Sequence, residues 1–243
     1  MSFDSIDVLK KKLATLPDLP KWEADRMSQE FITDFIYHSN AIEGNKLTRN
    51  ETEIVLQGAT VDKKQLQDHL EVIGHRDAIN FALESIKSKK GTTELLIKKI
   101  NELLLVDKPE HKGQYRKVEV EFPSSEYAPT AACRITEQMR ELVNGYKNLD
   151  EDVHAIECIA LFHILFEIIH PFFDGNGPTG RILMNAQLIK LDFPSIIIKF
   201  TDRREYFDCF EDYHKTKSPI AMISFIAKHV KEELERQIKL RKN

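Results

Sequence analysis

The chain has 243 residues, with 35 Lys and Arg against 39 Asp and Glu, which gives a formal net charge of −4. This slightly acidic balance argues against broad binding of nucleic acids or membranes through bulk charge. Only 9 residues are glycine, about half the usual share of roughly 7%, which disfavours all-β folds because their turns require positive φ. The composition therefore predicts a soluble, mainly helical protein.

The N-terminal and cysteine patterns bear on location. Residues 1–12 contain no apolar stretch long enough for a signal peptide, and no run approaches the roughly 20 residues of a membrane span. The three cysteines lie far apart and include no C-x-x-C pair: Cys133, Cys158 and Cys209. This pattern predicts free thiols rather than disulfides or a zinc site, and we expect a cytoplasmic protein.

Apolar residues recur at helical spacing along most of the chain. Taken in order, they predict helices over residues 21–37, 65–87, 93–106, 178–190, 203–215 and 220–240. Two further helices are expected. One is capped by Thr130 or Thr136 and runs to residue 146, and the other begins at Asp150 or Asp152 and ends at residue 169.

Local signals mark the junction after the first of these helices. Gly44 and Asn45 tolerate the left-handed conformation that commonly ends a helix. Thr48 and Glu51 have the spacing of a capping box, in which each side chain bonds the other residue's backbone N–H. We therefore expect a helix end at 44–45 and a new helix after 48.

A single segment follows the period of a β-strand. Residues 118–122 alternate apolar and acidic side chains, residues 123–125 have turn composition, and residues 126–129 provide a short return. This pattern predicts one β-hairpin in an otherwise helical chain.

The glycines cluster between the helix ending at 169 and the next helix. Gly175, Gly177 and Gly180 match the G-x-G-x-x-G spacing, but a dinucleotide fold requires a strand before it, and a helix is predicted there. A helix–loop–helix fits better. Gly175 and Gly177 can turn successive backbone N–H groups into one anion-binding concavity. Pro178 suits the first position of the next helix. The N-terminus of that helix favours phosphate binding.

Reactive side chains surround this loop. Asp174 would repel phosphate unless a divalent cation such as Mg²⁺ lay between them. Asn176 offers an amide and Arg181 a cation, while His170 stands at the rim as a candidate general base. The loop therefore predicts a site for a magnesium-bound polyphosphate.

This stretch resembles the Fic motif, H-x-F-x-[DE]-G-N-G-R-x-x-R. The matching positions are His170, Phe172, Asp174, Gly175, Asn176, Gly177 and Arg181. Pro178 stands where the family has its first arginine. The segment Gly113-x-Tyr115-Arg116 with the following hairpin resembles the flap region of the family.

The resemblance implies a fold and a reaction. The fold is a mainly α Fic-like helical bundle with one β-hairpin flap beside the active-site loop, and the reaction moves AMP from ATP to a hydroxyl of a target protein. His170 would be the base and Asp174 the Mg²⁺ ligand, while Phe172 would anchor the loop. The phosphate-binding residues would be Gly175, Asn176, Gly177 and, for the γ-phosphate, Arg181.

A second motif lies far upstream. Ser39-x-x-x-Glu43-Gly44 resembles the inhibitory motif of the same family, [ST]-x-x-x-E-[GN]. In the family this glutamate pairs with the second arginine, here Arg181. A carboxylate beside Arg181 would compete with an anionic ligand for its guanidinium, so the sequence predicts autoinhibition by Glu43.

The resemblance also implies an organisation and partners. Residues 1–92 would be an N-terminal helical region carrying the inhibitory motif and residues 93–243 the Fic-like core, together one compact unit. A target protein would dock on the 117–129 hairpin by strand addition, and Tyr206 would pack on adenine. His163 is interpreted as a packing residue and Glu167 as structural or exposed.

Pro178 leaves two other functions open, because it removes a cation and a backbone donor near the phosphates. One alternative is a nucleotide-binding regulatory module without transferase activity. The other is a hydrolase that removes AMP from a modified protein, with Glu43 positioning a water molecule. The sequence also leaves open a homo-oligomer.

Overall fold

A computed structural model describes residues 2–87, 91–121, 127–147 and 153–242. Ten α-helices make up most of these residues. They are α1 (Asp4–Ala14), α2 (Lys21–Ile42), α3 (Arg49–Leu56), α4 (Leu66–Lys87), α5 (Glu94–Leu104), α6 (Ile135–Lys147), α7 (Ala155–Ile169), α8 (Asn176–Lys190), α9 (Arg203–Thr216) and α10 (Ile220–Leu240). The expectation of a mainly helical protein is therefore confirmed.

Two of the predicted helix boundaries rest on the expected local chemistry. The Thr48 hydroxyl accepts a hydrogen bond from the Glu51 N–H at 3.3 Å, and the Glu51 carboxylate accepts one from the Thr48 N–H at 2.7 Å. The capping box at the start of α3 is thus confirmed. Gly44, with φ +99°, ends the α2 segment, although α2 itself continues beyond residue 37 to Ile42.

Other boundaries differ from expectation. Helix α6 begins at Ile135 after a short 3₁₀ turn, so neither Thr130 nor Thr136 is its N-cap. His154 caps α7, its ring nitrogen accepting a hydrogen bond from the Ile156 N–H at 3.2 Å. The expected caps, Asp150 and Asp152, lie outside the described residues.

Two further features depart from the sequence interpretation. Helix α8 starts at Asn176, which makes Pro178 its third residue rather than its first; the missing N–H is still harmless, because the first four N–H groups of a helix have no intrahelical acceptor. Helix α1 was not predicted. Ile6, Leu9 and Leu13 recur at helical spacing within it and face one core cluster that includes Val230 and Leu234 of α10.

The predicted hairpin is not seen in the described residues. Residues 118–121 and 127–130 adopt no strand, and residues 122–126 fall outside the description. The β-type pairing that is described nearby is an isolated antiparallel bridge between Tyr115 and Phe172. This bridge holds the chain after α5 against the glycine-rich loop.

Helices α7 and α8 lie at the centre of the molecule. Ile159 and Ile164 of α7 belong to a core cluster shared with α1 and α10, whereas Phe162 and Phe166 belong to a second cluster shared with α4, α5 and α6. Packing on both sides fixes the two helices, so the loop between them is held in a defined position. In the part of the chain that the structure describes, no helix combines the length and apolar character needed to span a membrane.

Candidate active site

Two residues in left-handed conformation shape the loop between α7 and α8. His170, at the C-terminus of α7, has φ +48°, and Gly175, at the N-cap of α8, has φ +73°. Positive φ is rare outside glycine and turns the chain sharply. Residues 170–175 therefore leave α7 and enter α8 within one compact turn.

Asn176 holds this turn together. Its side-chain oxygen accepts a hydrogen bond from the Phe172 N–H, and its amide donates one to the Phe172 carbonyl, both at 2.9 Å. The side chain of Phe172 is 0% exposed, which confirms its position as an anchor in the core. The Asn176 amide is thus occupied by the loop itself, and the expectation that it faces an anion is wrong for the side chain.

The turn presents backbone N–H groups at the N-terminus of α8. The first N–H groups of a helix have no intrahelical partner, and the helix dipole adds a partial positive charge there. Gly177 lies in this first turn, and a Cβ atom on it would collide with the Glu43 carboxylate. Glu43 therefore lies directly beside the N-terminus of α8, where the sequence predicts an anion-binding concavity.

Arg181 is almost fully enclosed, with 1% of its surface exposed. Its Nε donates to the Ser39 hydroxyl at 2.8 Å, and its Nη2 donates to the Ser39 carbonyl at 3.1 Å and to Glu43 Oε1 at 2.8 Å. Glu43 stands at the C-cap of α2, immediately before Gly44. The structure therefore brings together the two sequence motifs in the arrangement that the sequence predicted.

Behind Arg181 lies a buried polar cluster. His163 Nε2 and the Tyr206 hydroxyl are 2.8 Å apart, and burial together with the Arg181 charge lowers the pKa of His163 to about 3. Burial raises the pKa of Glu167 to about 8, against the opposing effect of Arg181. His163 is thus the packing residue that we expected, and Glu167 is protonated at neutral pH.

The position expected for Tyr206 is wrong. This side chain is 1% exposed and packs in the core against Phe210 and Phe225. A side chain enclosed on all sides cannot stack on a nucleotide in this conformation. The expectation failed because Tyr206 lies on the face of α9 that packs against the core.

Arg116 supports the loop from the opposite side. It is 5% exposed, and its Nε donates to the His170 carbonyl at 2.8 Å while its Nη1 donates to the Val118 carbonyl at 2.8 Å. Burial, and to a lesser extent the Arg116 charge, lowers the pKa of His170 to about 4. The imidazole is therefore neutral at pH 7 and able to accept a proton.

Asp174 lies on the outer side of the loop and has a partner that the sequence did not indicate. Its Oδ1 accepts a hydrogen bond from the Gly175 N–H at 2.6 Å, and its Oδ2 forms an ion pair with Lys108 Nζ. The Asp174 side chain remains 48% exposed. An accessible carboxylate near a helix N-terminus suits Mg²⁺, which is commonly bound by one or two carboxylates together with substrate phosphates.

Sequence comparison agrees with this arrangement. Residues 91–188 match the profile of the Fic/DOC family. The chain is 35% identical over 211 residues to the protein adenylyltransferase Fic of Nematostella vectensis, a match covering 84% of this chain and 48% of that protein. It is 30% identical over 221 residues to the protein adenylyltransferase fic-1 of Caenorhabditis elegans, covering 88% and 42%. The chain spans about half the length of the curated relatives it matches.

Solved structures share the whole fold. A Fic domain containing signaling protein from Bacteroides thetaiotaomicron superposes with a TM-score of 0.89 at 25% identity, covering 98% of this chain and 97% of the other. Fic-1 from C. elegans gives a TM-score of 0.85 at 27% identity, covering 98% and 70%. With its motif loop, its buried arginine and these relatives, the chain is a Fic-domain protein whose Fic/DOC-family domain lies at residues 91–188.

Proposed function

We propose that this protein is an adenylyltransferase that moves AMP from ATP to a hydroxyl side chain of a target protein and is autoinhibited by Glu43. The observation that carries the proposal is the loop itself, where a neutral His170, an accessible Asp174 and the guanidinium of Arg181 surround one helix N-terminus. The relatives named protein adenylyltransferase support the same reaction.

In this reaction the target hydroxyl oxygen attacks the α-phosphorus of ATP. The bond between that phosphorus and the oxygen bridging to the β-phosphate breaks, and pyrophosphate leaves. The proton of the attacking hydroxyl passes to the imidazole of His170, which burial keeps neutral. Transfers of this kind depend on positioning and on neutralising charge rather than on a covalent intermediate.

The loop supplies these two requirements. Gly175 and Gly177, at the N-terminus of α8, would cradle phosphate oxygens through backbone N–H groups, and Asn176 would keep the cradle in shape by its two bonds to Phe172. Arg181 would bind the γ-phosphate. Glu43 Oε1 lies 2.8 Å from Nη2 of this guanidinium, so in the described conformation it would compete with the nucleotide.

Asp174 would hold Mg²⁺ against the phosphates. Mg²⁺ usually keeps several water ligands and is bound by one or two carboxylates plus substrate phosphates, so phosphate oxygens and water would contribute the remaining ligands. Bound there, Mg²⁺ would neutralise phosphate charge. The Lys108 ammonium must leave Asp174 for this to happen.

We also propose that the target docks along residues 117–129. Arg116 ties the start of this segment to the motif loop through the His170 carbonyl, so a peptide bound there would lie beside the imidazole. The cysteines are free, which supports a reducing compartment such as the cytoplasm.

The direct test is incorporation of labelled AMP. The wild-type protein, Glu43→Gly and the double variant Glu43→Gly with His170→Ala are incubated with α-labelled ATP, Mg²⁺ and candidate target proteins. We expect label with Glu43→Gly, little with wild type and none with the double variant. Absence of label in every Glu43→Gly sample would contradict the proposal.

Pro178 favours a second candidate, a nucleotide-binding module without transfer, because it removes the first motif arginine. Calorimetry separates the two: this module would bind ATP or ADP without producing pyrophosphate. The hydrolytic alternative, with the partly exposed Glu43 positioning water, is separated by measuring release of AMP from a modified target.

A further inference from the structure

The loop lacks one of the positive charges that its motif normally carries. Pro178 occupies the position of the first motif arginine. The two buried arginines of the site cannot replace that charge on the solvent-accessible side of the loop, where Asp174 lies. Arg181 is held by Ser39 and Glu43, and Arg116 is held by backbone carbonyl groups.

Lys108 places an ammonium group at this open side. It follows α5, and its Nζ contacts Asp174 Oδ2 while 28% of its side chain remains exposed. The ammonium group is therefore within reach of solvent and beside the proposed phosphate cradle.

The segment that carries Lys108 is fixed to the motif loop at two other points. Asn101 of α5 donates to the Asp174 carbonyl at 2.9 Å and accepts from the Gly113 N–H at 3.0 Å. The His111 ring stacks on Phe173 with 4.2 Å between centroids. Lys108 is thus positioned by its surroundings, whereas its long side chain can change partner.

Asp174 cannot serve Lys108 and a metal ion fully at the same time. A polyphosphate arriving with Mg²⁺ would offer the ammonium new anionic oxygens while the carboxylate turned to the metal. A lysine ammonium is a compact point charge on a flexible stem and binds phosphate well in this role. The phosphates of the proposed substrate can therefore replace Asp174 as the partner of Lys108, while Mg²⁺ replaces Lys108 as the partner of Asp174.

We propose that Lys108 contacts the nucleotide phosphates and supplies the positive charge that is missing at Pro178. The resting pair with Asp174 is exchanged for the polyphosphate when ATP and Mg²⁺ bind. This inference rests on the proposed nucleotide-dependent function and adds a specificity-determining residue to it.

A double-mutant cycle tests the compensation directly. In the Glu43→Gly background, four proteins are compared: the parent, Lys108→Met, Pro178→Arg, and both changes together. We expect Lys108→Met alone to reduce kcat/KM on the order of 10²-fold, as for loss of one contact to transition-state charge. With Pro178→Arg present, the same change should cost less than about threefold, because an arginine then provides the charge.

Two further variants separate a phosphate contact from a structural role. Lys108→Arg should retain most of the activity, since it keeps the charge. Lys99→Met removes an exposed lysine of α5 that is also paired with an acid, Glu102, and should leave kcat/KM unchanged. Equal losses from Lys108→Met in both Pro178 backgrounds, or a gain of activity on its removal, would overturn the inference.

Calorimetric titration with ATP and Mg²⁺ keeps this test apart from that of the proposed function. Lys108→Met should weaken binding about tenfold when Pro178 is present and little after Pro178→Arg, whether or not AMP is transferred. Binding without transfer in all variants would contradict the adenylyltransferase proposal but not the inference about Lys108. Affinity that is indifferent to Lys108, or no nucleotide binding by any variant, would overturn the inference about Lys108.

Discussion

Two ion pairs flank the motif loop, and they differ in almost every physical respect. The inner pair joins Arg181 to Glu43, with 2% of the arginine side chain exposed and two further hydrogen bonds to Ser39. The outer pair joins Lys108 to Asp174, with 28% and 48% of the two side chains exposed. The inner cation is held by several fixed groups, whereas the outer cation pairs with an accessible carboxylate.

Exposure to solvent decides which contact can be exchanged. Removing a partner from a buried charge is costly because the remaining charge stays desolvated. An exposed pair contributes little, since water and salt replace it readily. The inner pair therefore sets the position of the guanidinium, and Glu43, itself 43% exposed, is the part of it that can leave. The outer pair can exchange as a whole.

Removal of the two cations in parallel should affect stability to different extents. Arg181→Met leaves the buried Ser39 hydroxyl and carbonyl without their donor and should lower the free energy of unfolding by about 1–3 kcal/mol. Lys108→Met should lower it by less than about 1 kcal/mol. Urea unfolding of both variants measures the difference. Equal costs would mean that burial does not distinguish the two pairs.

The next prediction concerns the acid of the inner pair. Glu43→Gln removes the carboxylate from Arg181 and should raise AMP transfer tenfold or more, since a competing contact worth about 1.4 kcal/mol corresponds to a factor of ten. Glu30→Gln is the matched control, because Glu30 lies on the same helix and pairs with Arg26 at the surface. A similar rise in both variants would show that the effect does not arise at Arg181.

The inner pair could be predicted from sequence and the outer pair could not. Ser39, Glu43 and Arg181 belong to two recognisable motifs, so their encounter across 142 positions follows from the pattern. Lys108 belongs to no motif. Its approach to Asp174 depends on the path of the chain after α5, which the hydrogen bonds of Asn101 determine.

The wrong expectations for Asn176 and Tyr206 have similar causes. Asn176 has a motif position, but the partner of an amide depends on the three-dimensional course of the loop, here the Phe172 backbone. Tyr206 lies on a helix where aromatic residues also occupy positions 207 and 210. Periodicity alone could not choose which of them points inward.

A smaller effect comes from the histidine behind the inner pair. The folded-state pKa of His163 is about 3, below the ordinary 6.5 of the unfolded chain, so acid protonates the unfolded state first. The stability due to neutral His163 is complete above pH 6.5 and is lost as pH falls toward 3. His75, with a pKa near 3, and His170, with a pKa near 4, act in the same direction.

Urea unfolding between pH 6 and 4 measures this contribution. Each such histidine adds about 1.4 kcal/mol per pH unit to the slope of unfolding free energy against pH. His163→Gln should therefore reduce the slope by about that amount, whatever its effect on stability at pH 7. His214→Gln on α9 serves as the control, since burial lowers its pKa against the opposing charge of Glu211. An unchanged slope in His163→Gln would mean that His163 titrates normally in the folded protein.

We also expect salt to affect the coupling energies of the two ion pairs, Lys108–Asp174 and Arg181–Glu43, to different extents. Double-mutant cycles with Lys108→Met and Asp174→Asn should give less than about 1 kcal/mol at low salt. The value should approach zero near 1 M salt, where the Debye length is about 3 Å. The cycle of Arg181→Met with Glu43→Gln should keep most of its coupling, because the guanidinium is shielded from ions. If the outer coupling resisted salt as well, Lys108 would be held as firmly as Arg181, and the exchange of Asp174 for a nucleotide would lose its physical basis.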